Sequence, residues 1–372
     1  MHQKKKIKLI LERQIKLNKI KMNIQKQRNK FLKMKDFLKI KNNMLKILRK
    51  EKDLKFFEDF ELLEYINSGS SGVVYKGLYL KAKKFICFKF LLNEFFSDKI
   101  VSNSKNSKYF EEINKLKSKN IVEYYKHINF KNIGCIIMEF AKFGDLENFQ
   151  KILNKKRHFS ETLLAFIAKQ ILNGLYILHQ SKIIHMDIKP QNILIDEKLN
   201  FKITDFSVSF SYQNYNRNQK ILLPLSGTNL YMSPEILFRL QIDYEDCCKI
   251  DIFSLGVVLY NLAFEKFPYE LNYYCKDNLE LILKKVKQNK LEIPTINGNY
   301  SYYFKKFLGG LLEKNIKKRI SLKEALKDPW INGAELIFKE KEKINDLEKF
   351  LINMITDNII SFNEYLKDIN QK

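Results

Sequence analysis

Apolar residues recur with helical spacing through 161–180, where Leu163, Leu164, Phe166, Ile167, Ile171, Leu175 and Leu178 make one stripe. A stripe of that width faces a core, so a helix is expected there and no ligand is assigned to it. Shorter apolar runs read differently. Phe85-Ile86-Cys87-Phe88-Lys89-Phe90 crowds apolar side chains around one lysine, as a half-buried strand does, and Gly134-Cys135-Ile136-Ile137-Met138-Glu139-Phe140 has strand length. Ile66-Asn67-Ser68-Gly69-Ser70-Ser71-Gly72-Val73-Val74-Tyr75 is expected as strand, tight glycine turn and strand, with β-branched valines after the turn. Asn120-Ile121-Val122 is expected to begin the next strand region.

The two ends carry other patterns. Ile10, Leu17, Ile24, Phe31, Leu38 and Leu45 fall at successive sevens, which predicts a long amphipathic helix. Arg13, Gln27 and Lys41 interrupt the intermediate positions and weaken a strict coiled coil. Near the other end, Ile344, Leu347, Phe350, Leu351, Met354, Ile355, Ile359 and Ile360 predict one or two further helices.

Charge sharpens this division. The first 55 residues hold 20 Lys or Arg against Glu12, Asp36, Glu51 and Asp53, and so supply 16 of the net 25 positive charges. An acidic partner, a membrane surface, self-association or nucleic acid would each suit such a helix. A solvated extension in a lysine-rich chain suits it slightly better. No specific nucleic acid is expected, because no zinc spacing, helix-turn-helix or stacking motif accompanies the charge. Length and a 45% hydrophobic content allow one two-part domain with modest extensions. The five cysteines show no metal-like spacing, no apolar stretch is read as membrane-spanning, and the N-terminus lacks a signal pattern. A reduced, cytoplasmic location is expected, with the nucleus as the other option.

Chemistry concentrates in His185-Met186-Asp187-Ile188-Lys189-Pro190-Gln191-Asn192, which sets a carboxylate, an ammonium and an amide on one loop. The octapeptide resembles the catalytic loop of eukaryotic protein kinases of the serine/threonine class. Other segments follow in that family's order. The resemblance implies an α+β, bilobal protein kinase fold over 59–331, with a small β-rich lobe over about 59–140, a helical lobe over about 141–331, and extensions over 1–58 and 332–372. It also implies ATP and Mg2+ between the lobes, and protein substrates that offer a Ser or Thr hydroxyl.

Roles follow from the same resemblance. Asp187 would accept the proton of the attacking hydroxyl, Lys189 would neutralise the moving phosphoryl group, and Asn192 would hold metal. Asp205, in Thr204-Asp205-Phe206-Ser207, resembles the second metal ligand. Thr228, in Ser226-Gly227-Thr228, matches the hydroxyl that faces the catalytic aspartate and lysine. The glycine loop, Ile66, Asn67, Ser68, Gly69, Ser70, Ser71, Gly72, Val73 and Val74, would cradle phosphates through backbone N–H groups. Lys89 would grip the α and β phosphates, with Cys87 over the adenine and Glu112 as the partner of Lys89. Met138 would guard the deep pocket, Glu139 and Ala141 would bond adenine through backbone groups, and Asp145 would reach the ribose. Asp251 would anchor the catalytic loop, Arg319 would pair with Glu235, and Asp328-Pro329-Trp330-Ile331 resembles a closing element.

Five positions depart from the family pattern: Asn67, Ser71, Tyr109, Met186 and Ser207. Met186 stands where an arginine normally binds a phosphate on the activation segment, so activity is expected not to depend strongly on phosphorylation there. Ser209, Ser211, Tyr212, Tyr215 and Ser226 nevertheless offer hydroxyls. Together the departures motivate a rival, a pseudokinase that acts as an ATP-binding scaffold or interaction module. Retention of Lys89, Asp187, Lys189, Asn192 and Asp205 favours the enzyme.

Overall fold

The structure, a computed structural model, describes residues 59–69, 72–91, 112–113, 115–130, 133–154, 159–294 and 300–338. Two compact units divide the chain, residues 1–92 and 93–372. The basic segment 1–58, Ser70, Ser71, Tyr109 and the apolar series past 338 lie outside the described residues.

In the first unit β1 (Phe60–Gly69), β2 (Gly72–Tyr79) and β3 (Lys84–Phe90) form an antiparallel meander. Gly69 pairs with Gly72 across the tip, so the strand, turn and strand pattern is present. Gly72 has φ +147°, and a Cβ there would lie 2.2 Å from Phe90 O. Only glycine lets the tip come that close to β3. Alternation then sorts the side chains. Tyr75, Phe88 and Phe90 form a buried aromatic face, with Tyr75 and Phe90 ring centres 5.7 Å apart and Phe60 edge-on to Phe88 at 5.9 Å. Val74 pairs with Lys89, and Cys87 precedes Lys89 by two, so these three share the opposite face. Asn67 pairs with Val74 and joins them, while Ile66 falls at a register shift in β1.

The second unit opens with the hairpin of β4 (Tyr124–Phe130) and β5 (Ile133–Glu139). Asn120-Ile121-Val122 does not begin β4. Asn120 O accepts from Ile203 N at 2.9 Å, Val122 N donates to Ile203 O at 2.9 Å, and β4 starts only at Tyr124. The Asn120 side chain fixes this arrangement by donating to Gln170 Oε1 (2.8 Å) and Phe201 O (3.0 Å).

The body is helical: α1 (Leu146–Leu153), α2 (Glu161–Gln180), α3 (Pro234–Leu237), α4 (Lys249–Phe264), α5 (Leu279–Gln288), α6 (Tyr302–Leu311), α7 (Leu322–Lys327) and α8 (Pro329–Phe338). Among these lie short antiparallel pairs, β6 (Ile183–Ile184) with β9 (Phe210–Ser211), β7 (Ile193–Ile195) with β8 (Phe201–Ile203), and β10 (Lys220–Leu222) with β11 (Gln241–Asp243). Polar caps start the helices: Ser160 Oγ accepts from Leu163 N in α2, and Ser321 forms a capping box with Glu324 in α7. α4 is apolar on nearly all sides and sits in the core, touching α2 and α6.

Two segments, Glu161–Gln180 and Tyr244–Phe264, are long and apolar enough to cross a membrane, contrary to the sequence reading that no stretch is. Two-thirds or more of each window is buried inside the fold, and such burial is that of core helices. At the far side Trp330 donates its indole N–H to Glu161 Oε1 (2.8 Å) and packs on Phe307 with ring centres 4.9 Å apart. Arg319 is fully buried and grips Glu235 with two hydrogen bonds, 2.8 and 3.1 Å.

Candidate active site

The loop between β6 and β7 brings together the groups that the sequence places at 187, 189 and 192. Thr228 donates its hydroxyl to Asp187 Oδ1 (2.7 Å), and Lys189 Nζ lies 2.7 Å from Asp187 Oδ2 and 2.6 Å from Thr228 Oγ1. Asn192 Nδ2 donates to Asp187 Oδ2 (2.9 Å) and to Asp187 O (2.8 Å). Both carboxylate oxygens of Asp187 therefore have fixed partners, and the ammonium neutralises the carboxylate at close range. Gly227 makes the approach of Thr228 possible. Its φ is +105°, and a Cβ there would lie 2.4 Å from Met186 O.

Beneath the loop, Asp251 of α4 is completely buried, yet caps no amide of its own helix. Its oxygens accept from His185 N (2.9 Å), Met186 N (2.9 Å) and His179 Nε2 (2.8 Å). Burial pushes the Asp251 carboxyl up, but the His179 ring and the His185 amide outweigh it and hold the group below its usual range. His179 is the counterpart. Burial pushes its ring down, but Cys248 and Asp251 raise it further, to about 10. These bonds hold Met186 at φ +66°, an uncommon conformation for a non-glycine residue.

Asp205 reaches the site through strand register. Ile193 pairs with Ile203, Thr204 N donates to Asn192 O (3.0 Å), and Asp205 follows with φ +64°. Tyr124 OH accepts from Asp205 N (3.1 Å), and Ser207 N donates to Asp205 Oδ1 (3.4 Å). Phe206 is buried edge-on against His185 (5.1 Å) and Tyr124 (5.6 Å). His185 donates from Nε2 to Thr204 O (2.9 Å) and accepts from Asp187 N at Nδ1 (3.2 Å), linking the two segments.

These residues fit a hard divalent cation. The Asn192 amide nitrogen is directed at Asp187, which leaves its carbonyl oxygen as donor, and Asp205 adds a carboxylate. Among the described residues no group of three His, Cys, Asp or Glu gathers as a metal site. One amide and one carboxylate agree with Mg2+, which keeps water and phosphate oxygens in most of its shell.

The residues assigned to the nucleotide fall in both units. In the first, Asn67, Val74, Cys87 and Lys89 share a sheet face, Asn67 Oδ1 accepts from Ser68 N (2.8 Å), and Gly69 and Gly72 flank the tip. Val73 lies opposite Phe90, on the aromatic face, and Ile66 is 43% exposed. In the second unit Met138 and Ala141 are buried. Glu139 N donates to Glu123 O (2.9 Å), and its carboxylate accepts from Glu123 N (2.8 Å) and pairs with Lys202 (2.9 Å). Its carbonyl is then the backbone group left for a purine. Asp145 is the N-cap of α1, with both oxygens bonded to Asn148 at 2.8 Å, and burial pushes its carboxyl up. Glu112 lies in a helical turn and makes no hydrogen bond or ion pair among the described residues.

Sequence reasoning missed Tyr124 and His179. Tyr124 is one aromatic in an apolar stretch, and nothing in the pattern signals its hydroxyl. His179 follows the apolar stripe of α2, where a polar ring at a buried position was a readable sign.

The family model "Protein kinase domain" matches residues 60–331. The chain is 30% identical over 278 residues to "Serine/threonine-protein kinase TIO" of Arabidopsis thaliana, covering 75% of this chain and 19% of that protein. It is 31% identical over 283 residues to "Serine/threonine-protein kinase 36" of Pongo abelii, covering 76% and 20%. It is also 29% identical over 279 residues to "CBL-interacting serine/threonine-protein kinase 14" of Arabidopsis thaliana, covering 74% and 59%. The aligned region thus spans about a fifth of the length of the first two relatives and under two thirds of the third.

Proposed function

We propose, because this chain belongs to the protein kinase family, that it transfers the γ-phosphoryl group of ATP to Ser or Thr hydroxyls of protein substrates. The observation that carries this reading is the closed set of contacts among Asp187, Lys189, Thr228 and Asn192. Thr228 already presents an aliphatic hydroxyl to the Asp187 carboxylate at 2.7 Å, the kind of bond that an acceptor hydroxyl would make there. Asp187 would orient that hydroxyl and take its proton. Lys189, held beside the carboxylate, would stabilise negative charge that develops on the transferring group. Protein kinases in general use ATP and Mg2+, and here Asn192 and Asp205 would hold the ion. When bound, it screens the charge of the phosphate oxygens. Lys89 and the loop at 66–74 would hold the nucleotide. The five cysteines, all free, support a reduced cytoplasmic location.

A radiolabelled ATP assay with basic and acidic protein acceptors, run beside Asp187→Asn, tests the reading. Label is expected on Ser and Thr of an acceptor or of the chain itself, and Asp187→Asn is expected to abolish transfer while nucleotide affinity stays. Mg2+-dependent ATP binding with no transfer to any protein would favour the scaffold instead.

A further inference from the structure

In the second unit an open cavity of about 370 Å3, lined by none of Asp187, Lys189, Asn192 or Thr228, lies between the end of α2, the segment after β9 and the starts of α4 and α7. Cys248 lines it and is part-exposed, whereas Cys87, Cys135, Cys247 and Cys275 are buried. Its Sγ lies 2.9 Å from Tyr212 OH, and it interacts with the ring of His179. His179 lines the same cavity and is 6% exposed, and its Nδ1 is buried without a hydrogen-bond partner. The rim is mostly cationic, with Lys182, Arg217 and Lys323 against Glu245. Lys182 lies over the Tyr212 and Tyr244 rings at 5.9 and 5.6 Å.

We infer that Cys248 is a site of reversible modification by small anionic disulfides, and that the modification loosens the catalytic loop through His179 and Asp251. The thiol proton goes to water, Sγ attacks one sulfur of the disulfide beside the protonated His179 ring, and the S–S bond of the reagent breaks as the new one forms. The departing thiolate takes up a proton from water, so thiol and disulfide exchange with no net oxidation. Cys247 does not compete, because it is fully buried and burial pushes its thiol up to about 12.

The coupling is a chain of contacts. A group on Sγ displaces the Tyr212 hydroxyl and the His179 ring. His179 is one of the three partners of Asp251, and the other two are the amides of His185 and Met186, immediately before Asp187. The effect on turnover rests on the phosphoryl-transfer reading above, whereas the modification and the loosening do not.

The test uses the full chain, treated with oxidised glutathione as the anionic disulfide and with 2-hydroxyethyl disulfide as the neutral one. Peptide mass mapping of the native protein is expected to find the adduct on Cys248 and to find it formed faster with glutathione. Amide exchange of the peptide holding His185 and Met186 is expected to rise on modification and to return with dithiothreitol. Turnover is expected to fall about tenfold, the scale of losing one charged hydrogen bond. Cys248→Ser, which keeps a hydroxyl for Tyr212, is expected to resist both reagents and keep its turnover under treatment. Absence of a Cys248 adduct in the folded chain would overturn the inference, as would an adduct that leaves exchange at 185–186 unchanged. An untreated chain without transfer activity would refute the kinase reading alone, since mass mapping and exchange are read without turnover.

Discussion

Thr228 donates its hydroxyl to Asp187 Oδ1 at 2.7 Å across a separation of 41 residues. The contact closes the segment before α3 onto the loop between β6 and β7, and Lys189 bonds to both partners. Thr228→Val keeps the shape and removes the hydroxyl. A charge-assisted hydrogen bond of this kind is worth about 1.5–3 kcal/mol, so turnover should fall about 10- to 100-fold with little change in nucleotide affinity. Thr228→Ser should recover most of it. Steady-state kinetics of the three proteins decides the matter, and a Val variant as active as the parent would remove Thr228 from the machinery.

Tyr124 is the unforeseen holder of the metal-side segment, since its hydroxyl accepts from Asp205 N. Tyr124→Phe deletes that acceptor and keeps the ring against Phe206. The Mg2+ concentration for half-maximal activity should rise about fivefold, the equivalent of about 1 kcal/mol for one neutral hydrogen bond. Titrating Mg2+ at saturating ATP would show it, and an unchanged midpoint would mean that strand register alone orders Asp205.

Arg319 and Glu235 are 0% and 4% exposed at their side chains and are bonded twice. Glu235→Ala strands a guanidinium in the interior, and a loss of about 3–5 kcal/mol of stability is expected. A paired replacement, Glu235→Leu with Arg319→Met, should lose less than either single change. Urea unfolding midpoints test both statements.

The His179 and Asp251 pair sets a pH dependence. The His179 pKa is raised to about 10 from an ordinary 6.5, so its contribution to stability is fully present below about 6.5 and declines as pH rises toward 10. Asp251 is lowered, so its contribution is present above the ordinary value of 3.8 and is lost as pH falls below it. Melting temperature should therefore fall between neutral pH and pH 10, and His179→Gln should flatten that decline. Equal slopes in the two proteins would refute the assignment.

Met186 is 4% exposed and offers no cation to a phosphate. Glutamate at Ser211 or Tyr215 should accordingly leave turnover within about threefold, because the charge-assisted bond it would mimic has lost its donor. A hundredfold rise would show another basic partner. Tyr212 is excluded from this scan, being 2% exposed.

Much of the site was legible because its chemistry is local. Asp187, Lys189 and Asn192 lie on one loop, and loop spacing survives folding. Strands β1, β2, β3 and β5 and helix α2 were equally readable, the strands from short apolar runs and a glycine turn and the helix from a stripe that matches its burial. Legibility failed where a contact joins distant segments through one polar atom. The Asn120 carboxamide bridges Gln170 and Phe201, which turned an expected strand start into a strut between α2 and β8. Tyr124, His179 and the capping use of Asp145 belong to the same class, because periodicity reports which face is apolar and says nothing about which hydroxyl or ring nitrogen meets an amide.

Asp251 fastens the backbone just ahead of Asp187 to the middle of the hydrophobic interior. The entropy lost in ordering that stretch is thus settled during folding and is not charged again at each encounter with an acceptor. The acceptor meets a prearranged carboxylate. Any adjustment of catalytic output must then come from segments that arrive at this platform, or from whatever pries its buried anchor loose.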